Sequence, residues 1–202
     1  MVGNGHHKLV LASASEARQR LLANAGLDFS VVPSSIDEQA IREALQQDHD
    51  AIAGEDLAEV LARAKAQEVS EREPGAIVIG GDQVLSLGDR LFAKPRSDDE
   101  IRAQLLDLRG QTHALHSAVA IAEGGEVSWV GVDTAYVTFR TFSATFLGRY
   151  MAMAGSSIRD SVGCYHLEGP GVQLMEKVSG DAFTILGMPL FALLEELRKR
   201  GH

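Results

Sequence analysis

Ala76-Ile77-Val78-Ile79 is an apolar run that ends directly on Gly80-Gly81-Asp82-Gln83. A short run of this kind, rich in β-branched residues and bounded by glycine, reads as a buried strand. The glycine pair reads as a turn, and it lets backbone or ligand come close. Asp82 then sits at the carboxyl end of a buried strand, where ligands usually bind in α/β sheets. A carboxylate there is costly unless it meets a cation or a proton donor. Its position favours a functional role over turn formation.

The rest of the chain supplies the elements for such a sheet. Strands are expected at 8–12, 29–32, 91–93, 113–123, 128–139 and 172–178. Helices are expected at 15–25, 36–47, 56–72, 97–108, 143–154 and 189–200. The helix at 56–72 shows Leu57, Val60, Leu61, Ala64 and Val69 at helical spacing. Gly26 and Gly110 read as helix stops, and Ser97-x-x-Glu100 as a capping box. Glu123-Gly124-Gly125-Glu126 reads as the turn of a long hairpin. The mixture predicts an α/β (mixed α+β) fold around a mixed sheet. One domain over residues 1–202 is expected, with 1–7 a mobile N-terminus.

Composition narrows the function. No run approaches 18 apolar residues, so no membrane span is expected. The N-terminus lacks the apolar core of a signal peptide. The single cysteine, Cys164, allows no intramolecular disulfide and fits a reducing, cytoplasmic compartment. A formal net charge of −9 argues against general nucleic-acid binding, which needs a broad basic surface. A small phosphorylated ligand needs only a local cationic cluster.

Five places carry candidate chemistry. Ser13-Ala14-Ser15-Glu16-Ala17-Arg18 lies between a strand and a helix, where free backbone N–H groups suit a phosphate. Ser13-x-x-Glu16 also reads as a capping box that needs no ligand. Ser35-Ile36-Asp37-Glu38 repeats that pattern, and its adjacent carboxylates suit Mg²⁺ or Mn²⁺. Lys65 has Arg63 and Glu68 as neighbours, so alone it reads as a surface lysine. Lys94-Pro95 offers a countercharge to Asp82 or to a phosphate. Gly163 to Gly171 reads as a tight loop that presents Glu168. His113 and His116 are expected on opposite faces of one strand. Cys164 and His166 share a strand face at best, so no zinc set is expected.

The order of these motifs is more specific than any one of them. Leu11-Ala12-Ser13-Ala14-Ser15 with Arg18, then Asp37-Glu38, Ala64-Lys65-Ala66, Gly81-Asp82, Lys94-Pro95 and Gly180-Asp181 with Gly187-Met188-Pro189-Leu190 resemble the Maf family from about Lys8 to Arg200. The resemblance implies a nucleotide pyrophosphatase that cleaves a nucleoside triphosphate to the monophosphate and pyrophosphate. It implies a divalent metal (Mg²⁺, Mn²⁺ or Co²⁺) as cofactor and a homodimer as assembly. It also implies an elongated fold like that of the inosine-triphosphatase group, with two lobes around a cleft. Carried over, Ser13, Arg18, Lys65 and Lys94 are phosphate contacts. Glu38 and Asp82 are the acidic, metal-holding pair, and Asp82 is the proton acceptor.

The base pocket is expected to follow Ala17, Gln83 and Glu168. The family's dTTP/UTP subgroup carries Pro-Arg-Arg at the serine motif, Thr after the Asp, and Gln in the later loop. Gln83 and Glu168 instead resemble the 7-methyl-GTP subgroup, which has Trp where this chain has Ala17. A glutamate accepts from guanine N1–H and N2–H₂. A purine or modified purine is therefore favoured, with dTTP/UTP hydrolysis or a non-catalytic, division-linked regulator as alternatives.

Overall fold

The computed structural model describes residues 8–47 and 52–202, so the segment expected to be a mobile N-terminus lies outside it. The strands are β1 (Leu9–Leu11), β2 (Ser30–Val31), β3 (Ile77–Leu87), β4 (Arg90–Phe92), β5 (Thr112–Glu123), β6 (Glu126–Phe139) and β7 (Met175–Ser179). The helices are α1 (Glu16–Asn24), α2 (Glu38–Gln47), α3 (Gly54–Arg72), α4 (Asp98–Leu108), α5 (Ala144–Ala154), α6 (Ala182–Ile185) and α7 (Leu190–Lys199). The strands form one mixed seven-stranded sheet in the order β2-β1-β3-β5-β6-β7, with β4 also paired to β3. Pairings among β2, β1 and β3 are parallel and the others antiparallel. This is the expected mixed α/β sheet.

Local chemistry explains most boundaries. Gly124 and Gly125 both take positive φ (59° and 84°), so the β5–β6 hairpin closes on two residues whose twist suits a tight turn. Ser97 and Ser143 cap α4 and α5 by accepting from Glu100 and Phe146 N–H. Two expected caps move. Ser15 rather than Ser13 caps α1, and Asp37 rather than Ser35 accepts from Ala40 N–H at the start of α2. The expected strand 172–178 is shorter. Its first residues lie in a 3-10 turn, Pro170–Leu174, and pairing with β6 begins only at Met175. Cys164 and His166 share no strand; they lie in the loop before that turn, with Cys164 at φ 57°.

The main correction concerns β3. Gly80-Gly81-Asp82-Gln83 is no turn. The strand runs straight through it, paired with β5 at every step from Gly80↔Ala120 to Gln83↔Ser117. The first glycine serves packing. A Cβ at Gly80 would lie 2.4 Å from the Ala62 carbonyl oxygen and 2.6 Å from the Ala66 nitrogen, so the backbone of α3 rests on the strand itself. Asp82 is therefore at mid-strand rather than at a strand end.

The site arises from a gap in pairing. β1 leaves β3 after Leu11↔Ile79, and β4 joins it only at Leu85↔Phe92. Both lie on the edge of β3 opposite β5. Between them, residues 80–84 have no strand on that edge among the described residues, and Asp82 is at the centre. The core divides on either side of this point. One cluster joins Leu85, Phe92, Ile101, Leu105, Leu115, Phe139 and Tyr150 at one end of the sheet. Another joins Leu11, Leu22, Ile77, Ile79, Val119, Ile121 and Leu193 at the other. Strand alternation puts Asp82 on the face covered by α3 and Gln83 on the opposite face.

His113 and His116 face opposite sides, as their spacing predicts. His113 Nε2 lies 2.8 Å from the Tyr165 hydroxyl. His116 lies beneath α3, with its ring nitrogens 2.9 Å from the Ser86 and Thr134 hydroxyls.

Candidate active site

Five segments meet at the open edge of β3. The end of β1 brings Ser13, and α1 brings Arg18. The first turn of α2 brings Glu38. Helix α3 brings Lys65, and β3 itself brings Asp82. Lys65 Nζ donates to Asp82 Oδ1 at 2.6 Å and pairs with Glu38 Oε1 at 2.8 Å. One ammonium thus joins the two carboxylates that the sequence singled out.

Lys65 is not on a solvated face. It is 7% exposed and lies on the buried stripe of α3 with Leu61 and Val69. Those residues stand four positions to either side of it. That spacing was a readable signal, masked by the charges of its immediate neighbours. Its burial is tolerable because Asp82, 5% exposed, supplies the countercharge.

Arg18 is buried on α1 with Leu21 and Leu22. Its Nε donates to the Gly187 carbonyl at 2.8 Å, and its Nη1 donates to Ser13 Oγ at 3.2 Å. Burial pushes this guanidinium below its ordinary value, while the charges of Asp82 and Glu38 pull it back up. The arginine is thus held in one orientation close to both acids. Ser13 Oγ also accepts from Ser15 N–H at 3.2 Å, which leaves its own proton free for a ligand oxygen.

Arg42 was missed in the sequence. Its Nη2 lies 3.7 Å from Asp82 Oδ2, and its side chain is 19% exposed. It stands one helical turn beyond Glu38 on α2, a spacing that could have flagged it. Desolvation raises the Glu38 carboxyl, but Lys65, then Arg42 and Lys94, outweigh it and hold the group below its usual range. Lys94, exposed after β4, enters the site only through this charge effect. Four cationic side chains thus surround two carboxylates, an excess suited to a polyphosphate.

The base-pocket residues are less closely joined. Gln83 Nε2 lies 3.0 Å from each of Ser117 Oγ, Thr184 O and Ile185 O. Glu168 is half-exposed and faces Arg20 of α1 at 3.6 Å. No hydrogen bond joins Glu168 to Gln83 among the described residues. Ala17 precedes Arg18 on α1 and is half-buried.

Asp82 Oδ2 is buried and accepts no hydrogen bond from any of the described residues. Among the described residues no group of three or more histidine, cysteine, aspartate or glutamate side chains is placed to hold a metal. No helix of the described residues is long and apolar enough to cross a membrane.

The chain matches the family model described as Maf-like protein over residues 8–200. It is 50% identical over 192 residues to a 7-methyl-GTP pyrophosphatase of Brucella abortus biovar 1 (strain 9-941), covering 95% of this chain and 96% of that protein. It is 49% identical over 194 residues to a 7-methyl-GTP pyrophosphatase of Mesorhizobium japonicum, covering 96% of each. A nucleoside triphosphate pyrophosphatase of Caulobacter vibrioides is 48% identical over 193 residues, again covering 96% of each. Among solved structures, a nucleoside-triphosphatase (dITP/XTP pyrophosphatase) of Mycobacterium abscessus overlaps 68% of this chain and 76% of its own, at 16% identity and a TM-score of 0.37. The motif order read from Lys8 to Arg200 and the full-length matches agree: the chain belongs to the Maf family.

Proposed function

We propose that this chain is a nucleoside triphosphate pyrophosphatase that hydrolyses the α–β phosphoanhydride of a modified purine nucleotide, with 7-methyl-GTP favoured. The relatives' activities support the reaction class. The observation that carries it is the buried Lys65–Asp82 pair, joined through the same ammonium to the more exposed Glu38, with Arg18 fixed beside it. Attack of water on the α-phosphorus needs a base, charge neutralisation on the phosphate chain and an aligned leaving group. Asp82 takes the water's proton. Arg18, Lys65 and Lys94 stabilise the departing pyrophosphate, and Ser13 donates its hydroxyl proton to a phosphate oxygen.

Asp82 and Glu38 would hold a divalent cation. The unpaired, buried Oδ2 of Asp82 suits a hard cation that takes one or two protein carboxylates and fills its other positions with water and phosphate. Bound there, the cation would lower the charge on the phosphates and acidify a coordinated water. The same reading carries a homodimer and a cytoplasmic setting. Sedimentation tests the first, and a chain with a single, buried cysteine fits the second.

The experiment is pyrophosphate release across a panel of standard and modified nucleotides with Mg²⁺, Mn²⁺ and Co²⁺. The expected result is faster hydrolysis of 7-methyl-GTP or GTP than of dTTP. A tenfold preference for dTTP or UTP overturns the base assignment. In the same assay Asp82→Asn is expected to abolish release while nucleotide binding is retained. Unchanged turnover would remove Asp82 from the chemistry.

A further inference from the structure

Gln83 is held in a manner that fixes what it can offer to a ligand. Its side chain leaves β3 on the face opposite Asp82. Three acceptors surround Nε2 there, each at 3.0 Å: Ser117 Oγ on β5, and the carbonyls of Thr184 and Ile185 at the end of α6. Two of them are carbonyl oxygens, which carry no proton. The amide must therefore face them with its nitrogen, because the flipped amide would set oxygen against oxygen. The hydroxyl adds to the same polarity. Ser117 Oγ donates its own proton to Thr184 O at 2.7 Å, so it turns a lone pair to Gln83. Ser117 and Thr184 are both fully buried.

The amide has two N–H protons, and both are committed within the protein. No hydrogen bond to Gln83 Oε1 is made among the described residues, and that atom is not buried without a partner. The short helix that supplies the carbonyls is tied down elsewhere. Thr184 Oγ1 donates to Asp133 Oδ2 on β6 at 2.6 Å. Two residues after α6, the Gly187 carbonyl accepts from Arg18. The segment that polarises Gln83 also orients the phosphate arginine.

We propose that Ser117 and Thr184, the latter anchored by Asp133, are positioning residues that lock Gln83 as a hydrogen-bond acceptor, so that the site selects a base edge presenting donors. This rests on the pyrophosphatase reading and adds to it a means of base choice. Guanine offers N1–H and an amino group on its Watson–Crick edge. Adenine offers an unprotonated N1 and no amino group at C2, so its N1 would meet Oε1 lone pair to lone pair. A glutamine free to flip would accept either edge. A locked one rejects the mismatch, because a buried polar group left unpaired is costly.

The test has two readouts. In ¹⁵N-labelled protein without nucleotide, the Gln83 side-chain amide pair is assigned by its loss in Gln83→Met. Its protons are expected to exchange at least tenfold more slowly than those of exposed glutamines. Ser117→Ala and Thr184→Val are expected to speed that exchange at least tenfold. In steady-state hydrolysis, the wild type is expected to show at least a tenfold higher kcat/KM for GTP than for ATP. The two variants are expected to reduce that ratio below threefold, with kcat on GTP changed by less than threefold. Fast exchange in the wild type overturns the lock. A GTP-to-ATP ratio unchanged in both folded variants shows a structural anchor only, and overturns the positioning role. Slow exchange in a protein that hydrolyses no nucleoside triphosphate overturns base selection together with the pyrophosphatase reading.

Discussion

Lys65 Nζ lies 2.6 Å from Asp82 Oδ1, and the two side chains are 9% and 7% exposed. Neither charge would be tolerated there alone. Removing one partner of a buried pair typically costs about 3–5 kcal/mol, because the other is left uncompensated. Lys65→Met is therefore expected to lower Tm by about 6–20 °C in a chain of this size. It is also expected to reduce kcat/KM at least 100-fold. Calorimetry and pyrophosphate release on the same preparation check both. A variant with wild-type turnover would place Lys65 outside the chemistry.

Two adjacent glycines predict two different defects. Gly80 touches the backbone of α3, and a backbone cannot swing aside as a side chain can. Gly80→Ala must push α3 away from β3, an overpacking that costs about 3 kcal/mol. A Cβ at Gly81 instead meets the Arg18 side chain at 3.1–3.2 Å. Gly81→Ala is expected to cost less stability and to displace the phosphate arginine, raising KM for nucleotide. Denaturant midpoints and Michaelis constants for both variants separate the two effects. Equal loss of stability would contradict the packing described for Gly81.

The element pattern was largely legible because apolar periodicity and glycine punctuation report local structure. The β5–β6 hairpin is an example, with Gly124-Gly125 at its turn. The glycines of β3 misled for a physical reason. Glycine permits a turn, but it also permits close approach in an extended strand, and only the helix above Gly80 tells the two apart. The caps of α1 and α2 slipped because Ser13 and Ser35 sit two residues before the groups that bond the helix ends. Lys65 reads as surface from its neighbours and as core from its helical face, and the distant Asp82 decides between them. Arg42 had a local signal in its spacing from Glu38 on α2, whereas the Thr184–Gln83 bond depends on a tertiary pairing that no local pattern encodes.

Acid sensitivity should centre on His113. Burial lowers its pKa from 6.5 to about 4, and among the described residues Nδ1 has no partner to help carry a proton. The unfolded chain takes up a proton below about 6.5, and the folded chain does not until about 4. Stability is therefore complete above pH 6.5 and falls as pH drops from 6.5 to 4. The loss attributable to this group is about 3 kcal/mol. Unfolding free energies of wild type and His113→Leu measured from pH 7.5 to 4 check it. The variant loses the bond to Tyr165 at every pH but should show a shallower slope in that window. Parallel pH profiles would contradict the assignment.

Arg42 faces the one oxygen of Asp82 that accepts no hydrogen bond, at 3.7 Å. At that separation a guanidinium still feels the carboxylate strongly, with an attraction of about 4 kcal/mol for a pair near the protein surface. A divalent cation bound to Asp82 Oδ2 would compete with Arg42 for the same charge. A triphosphate, by contrast, would gain from both. Arg42→Met is thus expected to act in opposite directions on the two ligands. In the absence of nucleotide it should tighten Mn²⁺ binding by about threefold or more, a shift of under 1 kcal/mol. In the presence of saturating metal it should raise KM for the nucleotide about tenfold and leave kcat nearly unchanged. Calorimetric titration with Mn²⁺ and steady-state kinetics measure the pair. Weaker Mn²⁺ binding in the variant would show that Arg42 supports the metal position instead of competing with it.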